Sequence, residues 1–306
     1  MIKLKNSLSL VFRECLIYRV KKVVDINTII PDLDRIIEIA INEDLSLGDI
    51  TTQSLNLKSE NIKCLMISKD SGILCGNFVA KEVFKKIDNT IKYEEKLQDG
   101  DCLQEGSIIS EIYGNKNSIL SAERIALNFM QRMSGVATLT NEYVTLVDTI
   151  SISDTRKTIP GWRNLDKYSV KCGGGFNHRR NLGDGVLIKD NHIEAARKQN
   201  ISIKDLIDIS RKNSPHTIKI EIEVDNFDLL DEAIESDADI IMLDNMTDEQ
   251  IIKSINRIKG KKLVEVSGNV DKNRLVNLNK ISGIDIISVG KLTHSAKALD
   301  ISLNFT

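Results

Sequence analysis

Basic residues are concentrated between Arg156 and Lys189. This stretch contains eight lysine or arginine residues and only two acidic ones, whereas the whole chain has a formal net charge of −2. Such a local excess of positive charge attracts anionic ligands. Because the planar fork of arginine bonds two oxygens at once, Arg156 and Arg179 are candidates to orient a carboxylate or a phosphate. A solvated basic loop is the ordinary alternative.

Lys189 lies inside the apolar run GVLIKDN (185–191). A buried ammonium group without an anion nearby is costly, so this position indicates an anionic partner. It also allows a Schiff base with a carbonyl substrate, as in barrel aldolases, and both uses stay open here. The four histidines show no HxH or HExxH spacing and the five cysteines form no CxxC pair, so no zinc site is indicated.

Acidic and small residues end the later apolar runs. Glu223 and Asp244 are candidates to hold ribose hydroxyls, to coordinate Mg²⁺, or to stabilise a developing positive charge. Capping of the next helix is the ordinary role for Asp244. Small residues at two further positions let backbone N–H groups approach a phosphate: Ser267, Gly268 and Asn269, then Ser288, Val289 and Gly290.

The second half of the chain alternates short β-branched runs with helical segments, a pattern that predicts parallel strands in βα units. Each run is apolar, or alternates between apolar and polar residues, until its last two or three residues, which are charged, amide-bearing or small. Since the carboxyl ends of the strands carry the active site in β/α barrels, we expect these residues to share one mouth. The six runs are TISISDTR, GVLIKDN, TIKIEIEVDN, ADIIMLDN, KLVEVSGN and IDIISVG.

The first half mixes an amphipathic helix with short strands and predicts a separate α/β domain. The strands are expected at NIKCLMISK, GILCGNFVA and EGSIISEIYG. A helix over Ser121–Met133, with Ser121 as its cap, is expected to link the two domains. Residues 1–25 are rich in lysine and arginine, which predicts a basic N-terminal extension or helix.

Composition narrows the function classes. The chain has 306 residues, of which 41% are hydrophobic and 28% charged, as in soluble globular proteins. No apolar run approaches the ~20 residues that span a bilayer, and the net charge argues against a nucleic-acid partner. Walker A and GxGxxG patterns are absent. We therefore expect a cytoplasmic enzyme of small molecules, without membrane or nucleic-acid partners.

Nine motifs resemble the quinolinate phosphoribosyltransferase family, the decarboxylating enzymes of NAD biosynthesis. The resemblance covers nearly the whole chain from Glu43 onward. The motifs are EDLSLGDITT (43–52), AERIALNFMQRMSGVAT (122–138), DTRKTIPGWR (154–163), KCGGGFNHR (171–179), LIKDNHI (187–193), EIEVDN (221–226), MLDN (242–245), EVSGNV (265–270) and DIISVGKLTHSAKALDISL (285–303).

The resemblance implies an α/β fold of the type II phosphoribosyltransferases, with an N-terminal α/β sandwich domain and an open, incomplete α/β barrel. The implied sandwich covers residues 26–125 with 291–306, and the implied catalytic barrel covers residues 126–290. It further implies a homodimer or hexamer in which the N-terminal domain of one subunit covers the barrel of its partner.

The implied activity is that of a pentosyltransferase, nicotinate-nucleotide diphosphorylase (carboxylating). Phosphoribosyl would pass from phosphoribosyl pyrophosphate to quinolinate with Mg²⁺ present, giving nicotinate mononucleotide, CO₂ and pyrophosphate. A related enzyme with another acceptor, such as nicotinate, is the closest alternative. A scaffold that only binds ligands is a third.

The resemblance also assigns roles to residues. Arg124 would reach the partner's site, and Thr155 and Lys157 would line the chain's own site. The quinolinate carboxylates would be held by Arg156, His178, Arg179 and Lys189. The ribose and Mg²⁺ would lie at Glu223 and Asp244, and the phosphates at Ser267, Gly268, Asn269, Ser288, Val289 and Gly290. The residues expected to take part in catalysis are Lys157, Lys189, Glu223 and Asp244.

Overall fold

A computed structural model describes residues 30–55 and 58–306. The basic segment predicted over residues 1–25 lies outside them. The chain divides into two compact units. The first contains the described residues of Met1–Glu142, Thr158–Gly174 and Leu292–Thr306, and the second contains Tyr143–Lys157 and Gly175–Lys291.

Four antiparallel strands form the main sheet of the first unit, in the order β12-β1-β5-β3. A second ribbon pairs β2 with β4. The strands are β1 (Asn61–Ser68), β2 (Gly72–Ile73), β3 (Lys92–Glu95), β4 (Cys102–Leu103), β5 (Ile108–Asn115) and β12 (Ile301–Phe305). The helices are α1 (Leu33–Leu45), α2 (Ile50–Leu55), α3 (Asn77–Ile87), α4 (Lys116–Val144), which ends in the second unit, and α5 (Arg163–Cys172).

One apolar core holds the first unit together. Buried side chains from α1, β1, α3, β5 and α4 meet in it, among them Phe84, Ile112 and Phe129. The Trp162 ring stacks on the Phe129 ring with centroids 5.0 Å apart and planes 13° from parallel. Trp162 is partly buried and packs against this core, where aromatic contacts of this kind add to stability.

The segment GILCGNFVA is not one strand as predicted, because β2 ends at Ile73 and α3 begins at Asn77. The Asp99 carboxylate accepts hydrogen bonds from the backbone N–H groups of Gly76 and Asn77 at 2.8 and 2.9 Å, and from the Tyr168 hydroxyl at 3.1 Å. Burial raises the pKa of Asp99 to about 6. A carboxylate more than 20 residues away therefore starts this helix, and no local pattern reports it.

Two cysteines far apart in sequence lie close together in the first unit. The ligand atoms of Cys75, Asp99 and Cys172 lie within 4.8 Å of one another. The carboxylate of Asp99 already accepts three hydrogen bonds, and the Cys75 thiol donates to the Ser169 hydroxyl at 3.5 Å. These bonds satisfy the Asp99 carboxylate and the Cys75 thiol within the protein.

The long helix α4 begins earlier than predicted. The Asn115 side chain accepts from the backbone N–H of Asn117 at 2.9 Å and so caps its start. Ser121, the predicted cap, lies inside the helix and donates its hydroxyl hydrogen to Asp49 at 3.2 Å. Farther along, α4 approaches residues 297–298 so closely that only glycine fits at Gly135.

Six parallel strands form the sheet of the second unit, in the order β6-β11-β10-β9-β8-β7. They are the six predicted strands: β6 (Ser151–Ser153), β7 (Val186–Ile188), β8 (Ile220–Val224), β9 (Ile240–Asp244), β10 (Leu263–Ser267) and β11 (Ile286–Ser288). The helices are α6 (Asp190–Arg197), α7 (Ile203–Asn213), α8 (Phe227–Ile234), α9 (Asp248–Ile258), α10 (Lys272–Leu278) and α11 (Lys291–His294), which ends in the first unit. Since β6 and β7 are the sheet edges among the described residues, the sheet is an open α/β barrel rather than a closed one.

The boundaries of the two units differ from the predicted barrel of residues 126–290. Most of α4 and all of α5 belong to the first unit, because their apolar side chains pack in its core. The basic stretch is divided as a result. Arg163, Lys167 and Lys171 lie on α5, and Lys167 is only 1% exposed. The remaining basic residues of the stretch lie in the second unit.

Candidate active site

Parallel strands bring several of the predicted residues to one edge of the second unit's sheet. Glu223 lies in β8, Asp244 ends β9, Ser267 ends β10, and Lys189 directly follows β7. Because all the strands point the same way, their carboxyl ends meet at this edge. The Lys189 ammonium nitrogen lies 3.4 Å from a carboxylate oxygen of Glu223. The anionic partner expected for Lys189 is thus present within the chain.

Glu223 is surrounded by charged groups. Burial raises the pKa of its carboxyl above the usual value, Lys189 opposes that rise, and the charge of Asp244 adds to it. Two carboxylates that influence each other in this way supply the oxygen ligands that Mg²⁺ prefers. The donor set at this edge therefore fits a magnesium ion.

The loops after β9 and β10 are bonded to each other. The Asn245 backbone N–H donates to the Ser267 carbonyl at 3.1 Å, and its side-chain amide donates to Asp244 at 2.6 Å. The Arg274 guanidinium donates to the Gly268 carbonyl at 2.6 Å, which fixes the second loop from α10. Sequence reasoning missed Arg274, because a single arginine on an exposed helix gives no local signal.

The loop after β11 is less available to a phosphate than predicted. The Val289 backbone N–H donates to the Ser153 carbonyl at 2.9 Å, and Val289 is 2% exposed. Ser288 is also buried, and its hydroxyl acts on the Glu265 carboxyl inside the barrel. The Val289 N–H is therefore already bonded within the protein, and the phosphate roles of the loops Ser267 to Asn269 and Ser288 to Gly290 stay predictions.

Two guanidinium groups lie close together in the second unit. Burial lowers the pKa of Arg179, the like charge of Arg156 lowers it further, and the carboxylate of Glu221 opposes both effects. Arg179 also donates to the Gly185 carbonyl at 3.0 Å. The Nε of Arg156 is buried without a hydrogen-bond partner. Two adjacent positive charges with an unused donor favour a ligand that carries more than one negative charge.

Both ring nitrogens of His178 are engaged by the protein. Nδ1 accepts from the backbone N–H of Arg179 at 2.8 Å, so the ring hydrogen lies on Nε2. Nε2 lies 3.1 Å from Glu221 and 3.5 Å from Glu265. The ring hydrogen of His178 is used within the protein in this arrangement, and the contact between His178 and a substrate carboxylate stays a prediction. Through Nδ1, His178 holds the backbone of Arg179.

The segment that carries His178 and Arg179 is anchored to β6. Asp154 is fully buried, and its carboxylate accepts from the His178 backbone N–H at 2.8 Å. Ser153 and Phe176 form an isolated parallel bridge beside it. Asp154, expected at the mouth, is therefore a buried anchor. Thr155, whose hydroxyl accepts from the Lys157 backbone N–H at 3.1 Å, and the exposed Lys157 follow it.

A cavity of about 850 Å³ lies inside the second unit. Its lining includes His178, Arg179, Glu221 and Glu265, together with residues that begin strands, such as Ile240. The cavity thus extends toward the amino ends of the strands, whereas Lys189, Glu223 and Asp244 lie at the carboxyl ends. We take the carboxyl-end residues as the reacting site, because both signs of charge meet there. Arg124 is exposed on α4 in the first unit.

Two family profiles together cover this chain from residue 49 to residue 304, except residue 135. The profile for the quinolinate phosphoribosyl transferase C-terminal domain matches residues 136–304, and that for the N-terminal domain matches residues 49–134. The chain belongs to the quinolinate phosphoribosyl transferase family. Its family membership explains why the nine motifs occur in one chain and in one order.

Relatives within the quinolinate phosphoribosyl transferase family agree over most of their length. A probable nicotinate-nucleotide pyrophosphorylase [carboxylating] of Bacillus subtilis is 40% identical over 86% of this chain and 90% of its own length. A mitochondrial quinolinate phosphoribosyltransferase [decarboxylating] of Nicotiana tabacum is 39% identical over 89% of this chain and 82% of its own. The solved nicotinate-nucleotide pyrophosphorylase of Francisella tularensis superposes with a TM-score of 0.86 at 40% identity, over 95% of this chain and all of that one.

Proposed function

We propose that this chain transfers phosphoribosyl from phosphoribosyl pyrophosphate to quinolinate and releases CO₂ and pyrophosphate, as a step of NAD biosynthesis. The observation that carries the proposal is the pair Arg156–Arg179 in the same unit as the Glu223–Asp244 carboxylates at the strand ends. The guanidinium groups suit the two carboxylates of the acceptor, and the acids suit the ribose. Family membership supports this division of roles.

The proposed reaction forms two bonds, from the ring nitrogen to ribose C1 and from the ring carbon to a proton, and breaks two. The acceptor ring nitrogen attacks ribose C1 while the C1–O bond to pyrophosphate breaks. The 2-carboxylate then leaves as CO₂, and the ring carbon takes up a proton. The transition state at C1 is positively charged, so Glu223 and Asp244 stabilise it, while Arg156, Arg179 and Lys189 hold the acceptor in line. Lys157 follows β6 and supplies charge for the leaving pyrophosphate.

Magnesium is the cofactor that we propose for this site. Glu223 and Asp244 would hold it, directly or through water, since carboxylate oxygens are its preferred protein ligands. The bound ion would neutralise charge on the pyrophosphate. Lys189 already forms an ion pair with Glu223, so the ammonium group would balance the acids when no metal is bound.

Two other functions are less well supported. A Schiff base requires a neutral amine, whereas Lys189 is ion-paired with Glu223 and its side chain is 47% exposed. A phosphoribosyltransferase that uses nicotinate would need only one arginine for its single carboxylate. The Arg156–Arg179 pair therefore favours a dicarboxylate acceptor.

An assay of CO₂ release tests the proposed function. Purified protein is mixed with quinolinate labelled in the 2-carboxylate, phosphoribosyl pyrophosphate and Mg²⁺, and nicotinate mononucleotide is measured in parallel. We expect both products in equal amounts, and neither when any one component is omitted. Nicotinate in place of quinolinate is the control acceptor. Equal turnover of nicotinate, or trapping of a carbonyl substrate on Lys189 by borohydride, would contradict the proposal.

We further propose a homodimer or hexamer with a shared active site, to which a partner subunit contributes Arg124. Its exposed position on α4 supports this idea, because no described hydrogen bond or ion pair holds its guanidinium. Arg124→Ala and Arg179→Ala should each be nearly inactive alone. Mixed dimers should recover about a quarter to a half of wild-type activity, since one intact site forms per heterodimer. If verified heterodimers of the two variants stay inactive, the active site is not shared between subunits.

Gly268→Ala tests the loop proposed to bind phosphate. Gly268 has φ +93°, and a Cβ there would lie 2.2 Å from the Asn245 side-chain oxygen. We expect a rise of about tenfold or more in KM for phosphoribosyl pyrophosphate. The new Cβ would force the loop to move, and the strained backbone conformation would cost about 1–3 kcal/mol. Gly260→Ala is the matched control, since Gly260 has φ +70° and nothing within 4 Å. Equal effects of both substitutions would show that backbone strain alone is responsible.

We propose a cytoplasmic location for this reaction. Among residues 30–55 and 58–306, no helix is long and apolar enough to cross a membrane. The name of the Bacillus subtilis relative mentions no organelle, whereas the Nicotiana tabacum relative is named as mitochondrial. Fractionation of the native cells with an antibody against the chain would decide the compartment.

A further inference from the structure

Two buried carboxyl groups face each other inside the open barrel. Glu221 lies in β8 and Glu265 in β10, on either side of β9, and they are 5% and 1% exposed. Their ligand oxygens and the Nε2 of His178 lie within 4.8 Å of one another. One oxygen of Glu221 and one of Glu265 are buried without a hydrogen-bond partner. Neither carboxyl has a role in the reaction described above.

Two ionised carboxylates are not stable at such a place unless donors satisfy them. The ring of His178 supplies one hydrogen, on Nε2, because Nδ1 accepts from the Arg179 N–H. That hydrogen lies nearer to Glu221, at 3.1 Å, than to Glu265, at 3.5 Å. The Ser288 hydroxyl also acts on Glu265, but two buried carboxylates would still face each other with like charge, and a proton on Glu265 removes that repulsion.

We propose that Glu265 is a protonated carboxylic acid that donates to Glu221 and thereby positions His178 and Arg179 for binding of the dicarboxylate. Glu265 is a positioning residue, since it acts through the His178 ring and not on the substrate. The path runs from Glu265 to Glu221, to Nε2, and through Nδ1 to the Arg179 backbone. The role in substrate binding rests on the proposed function, whereas the proton on Glu265 does not.

Charged and polar groups from several nearby elements act on Glu265. Burial raises the pKa of its carboxyl to about 8, and the charge of Glu221 on β8 adds to that rise. His178, from the segment anchored to β6, and the Ser288 hydroxyl on β11 lower it. Arg179 interacts with Glu221 and with Arg156. Loss of the proton from Glu265 would therefore place a second negative charge beside Glu221 and His178, the two groups that contact or influence Arg179.

A metal ion is the other way to satisfy these oxygens, since one histidine and two glutamates have suitable spacing for one. The hydrogen bond at Nδ1 argues against it. With Nδ1 accepting, a neutral imidazole carries its hydrogen on Nε2 and has no lone pair there for a metal. The same three residues therefore favour a proton over an ion.

The first test is the pH profile of KM for quinolinate in wild type and Glu265→Gln. Glutamine keeps an N–H donor toward Glu221 but cannot ionise. In wild type we expect KM to rise by about tenfold per pH unit above pH 8, the slope of one deprotonation. In Glu265→Gln, KM should stay near the wild-type value at pH 7 and remain flat, with kcat unchanged. Glu194→Gln is the control, because Glu194 is exposed and paired with Lys198.

Two results of this test would overturn the positioning role. One is a KM profile that is the same in wild type and Glu265→Gln. The other is a large rise in KM at pH 7 in Glu265→Gln, which would show that an ionised Glu265 is needed there. Glu265→Leu, which removes the donor, should raise KM at every pH if it folds.

The second test does not depend on activity. A carboxyl whose pKa is raised by folding holds an extra proton in the folded state, so it makes the protein less stable as pH rises from 4.5 toward 8. In Glu265→Gln, the free energy of unfolding measured with urea should not show this decline with pH. Asp99, with its pKa near 6, contributes a similar decline at lower pH, but it is present in both proteins and cancels in the difference.

The two tests separate the possible failures. If wild type does not turn over quinolinate but the stability difference is found, the proposed function fails and the protonated Glu265 stands. If the stability curves of the two proteins run parallel, the protonated Glu265 is refuted, whatever the activity. A stoichiometric metal ion in purified wild type that is lost in Glu265→Gln would also refute it.

Discussion

Replacement of Arg179 by alanine is expected to lower kcat/KM for quinolinate by about three orders of magnitude, since truncating one member of a desolvated charge pair costs roughly 2–5 kcal/mol. The guanidinium is partly buried beside Arg156, and it already donates to the Gly185 carbonyl. Its remaining donors are therefore oriented before the ligand arrives. Steady-state kinetics with quinolinate varied and phosphoribosyl pyrophosphate saturating would measure the loss.

Two further variants show whether geometry or charge is responsible. Arg179→Lys keeps the charge but loses the planar fork, so it should recover only a small part of the activity. Arg197→Ala is the control, because Arg197 is exposed and paired with Glu232 on the surface. Full activity in Arg179→Lys would show that a single positive charge is enough. Normal activity in Arg179→Ala would refute the assignment of the acceptor site.

Gly135→Ala should lower the free energy of unfolding by about 3 kcal/mol or more, since forced overpacking against backbone is among the costliest substitutions. A Cβ at this position in α4 would lie 1.9 Å from the Lys297 carbonyl oxygen and 3.1 Å from the Ala298 Cα. These atoms belong to backbone and cannot rotate away. Alanine favours helix over glycine by about 1 kcal/mol, which is too little to offset the clash.

Urea unfolding followed by far-UV circular dichroism measures that change. Gly183→Ala is the control, because its Cβ would meet nothing closer than the Asn181 side-chain oxygen at 3.4 Å. A Gly135→Ala protein as stable as wild type would contradict the close approach of α4 to the Lys297 backbone. A stabilised Gly135→Ala would mean that helix propensity outweighs contact at this site.

The parallel sheet was the part of the fold that the sequence predicted best. Short β-branched runs that end in polar residues rarely form anything other than a strand, and all six of them are strands here. The start of α3 was missed because Asp99, the group that caps it, comes from a distant loop. The basic stretch was misjudged for a similar reason, since α5 carries part of it into the first unit, where Lys167 is buried.

The candidate site shows the same division. The types of Arg179, Lys189, Glu223 and Asp244 were visible in the sequence, and so were the strand-end positions of the last three. Strand alternation also placed Glu221 and Glu223 on one face of β8. Their positions along β8 give the two side chains different neighbours, because Glu223, near the carboxyl end, contacts Lys189, whereas Glu221, nearer the amino end, contacts His178. Which neighbours a strand residue meets depends on how the adjacent strands are aligned, and a single sequence does not report that alignment.

Trp162, stacked on Phe129 in the first unit, is the one tryptophan of the chain. Its fluorescence therefore reports on the first unit alone, while the six parallel strands contribute no such emission. Circular dichroism reports on both. A fluorescence transition that coincides with the dichroism transition would show that the two units unfold together. Two separate transitions would give each unit its own stability, without any label being attached.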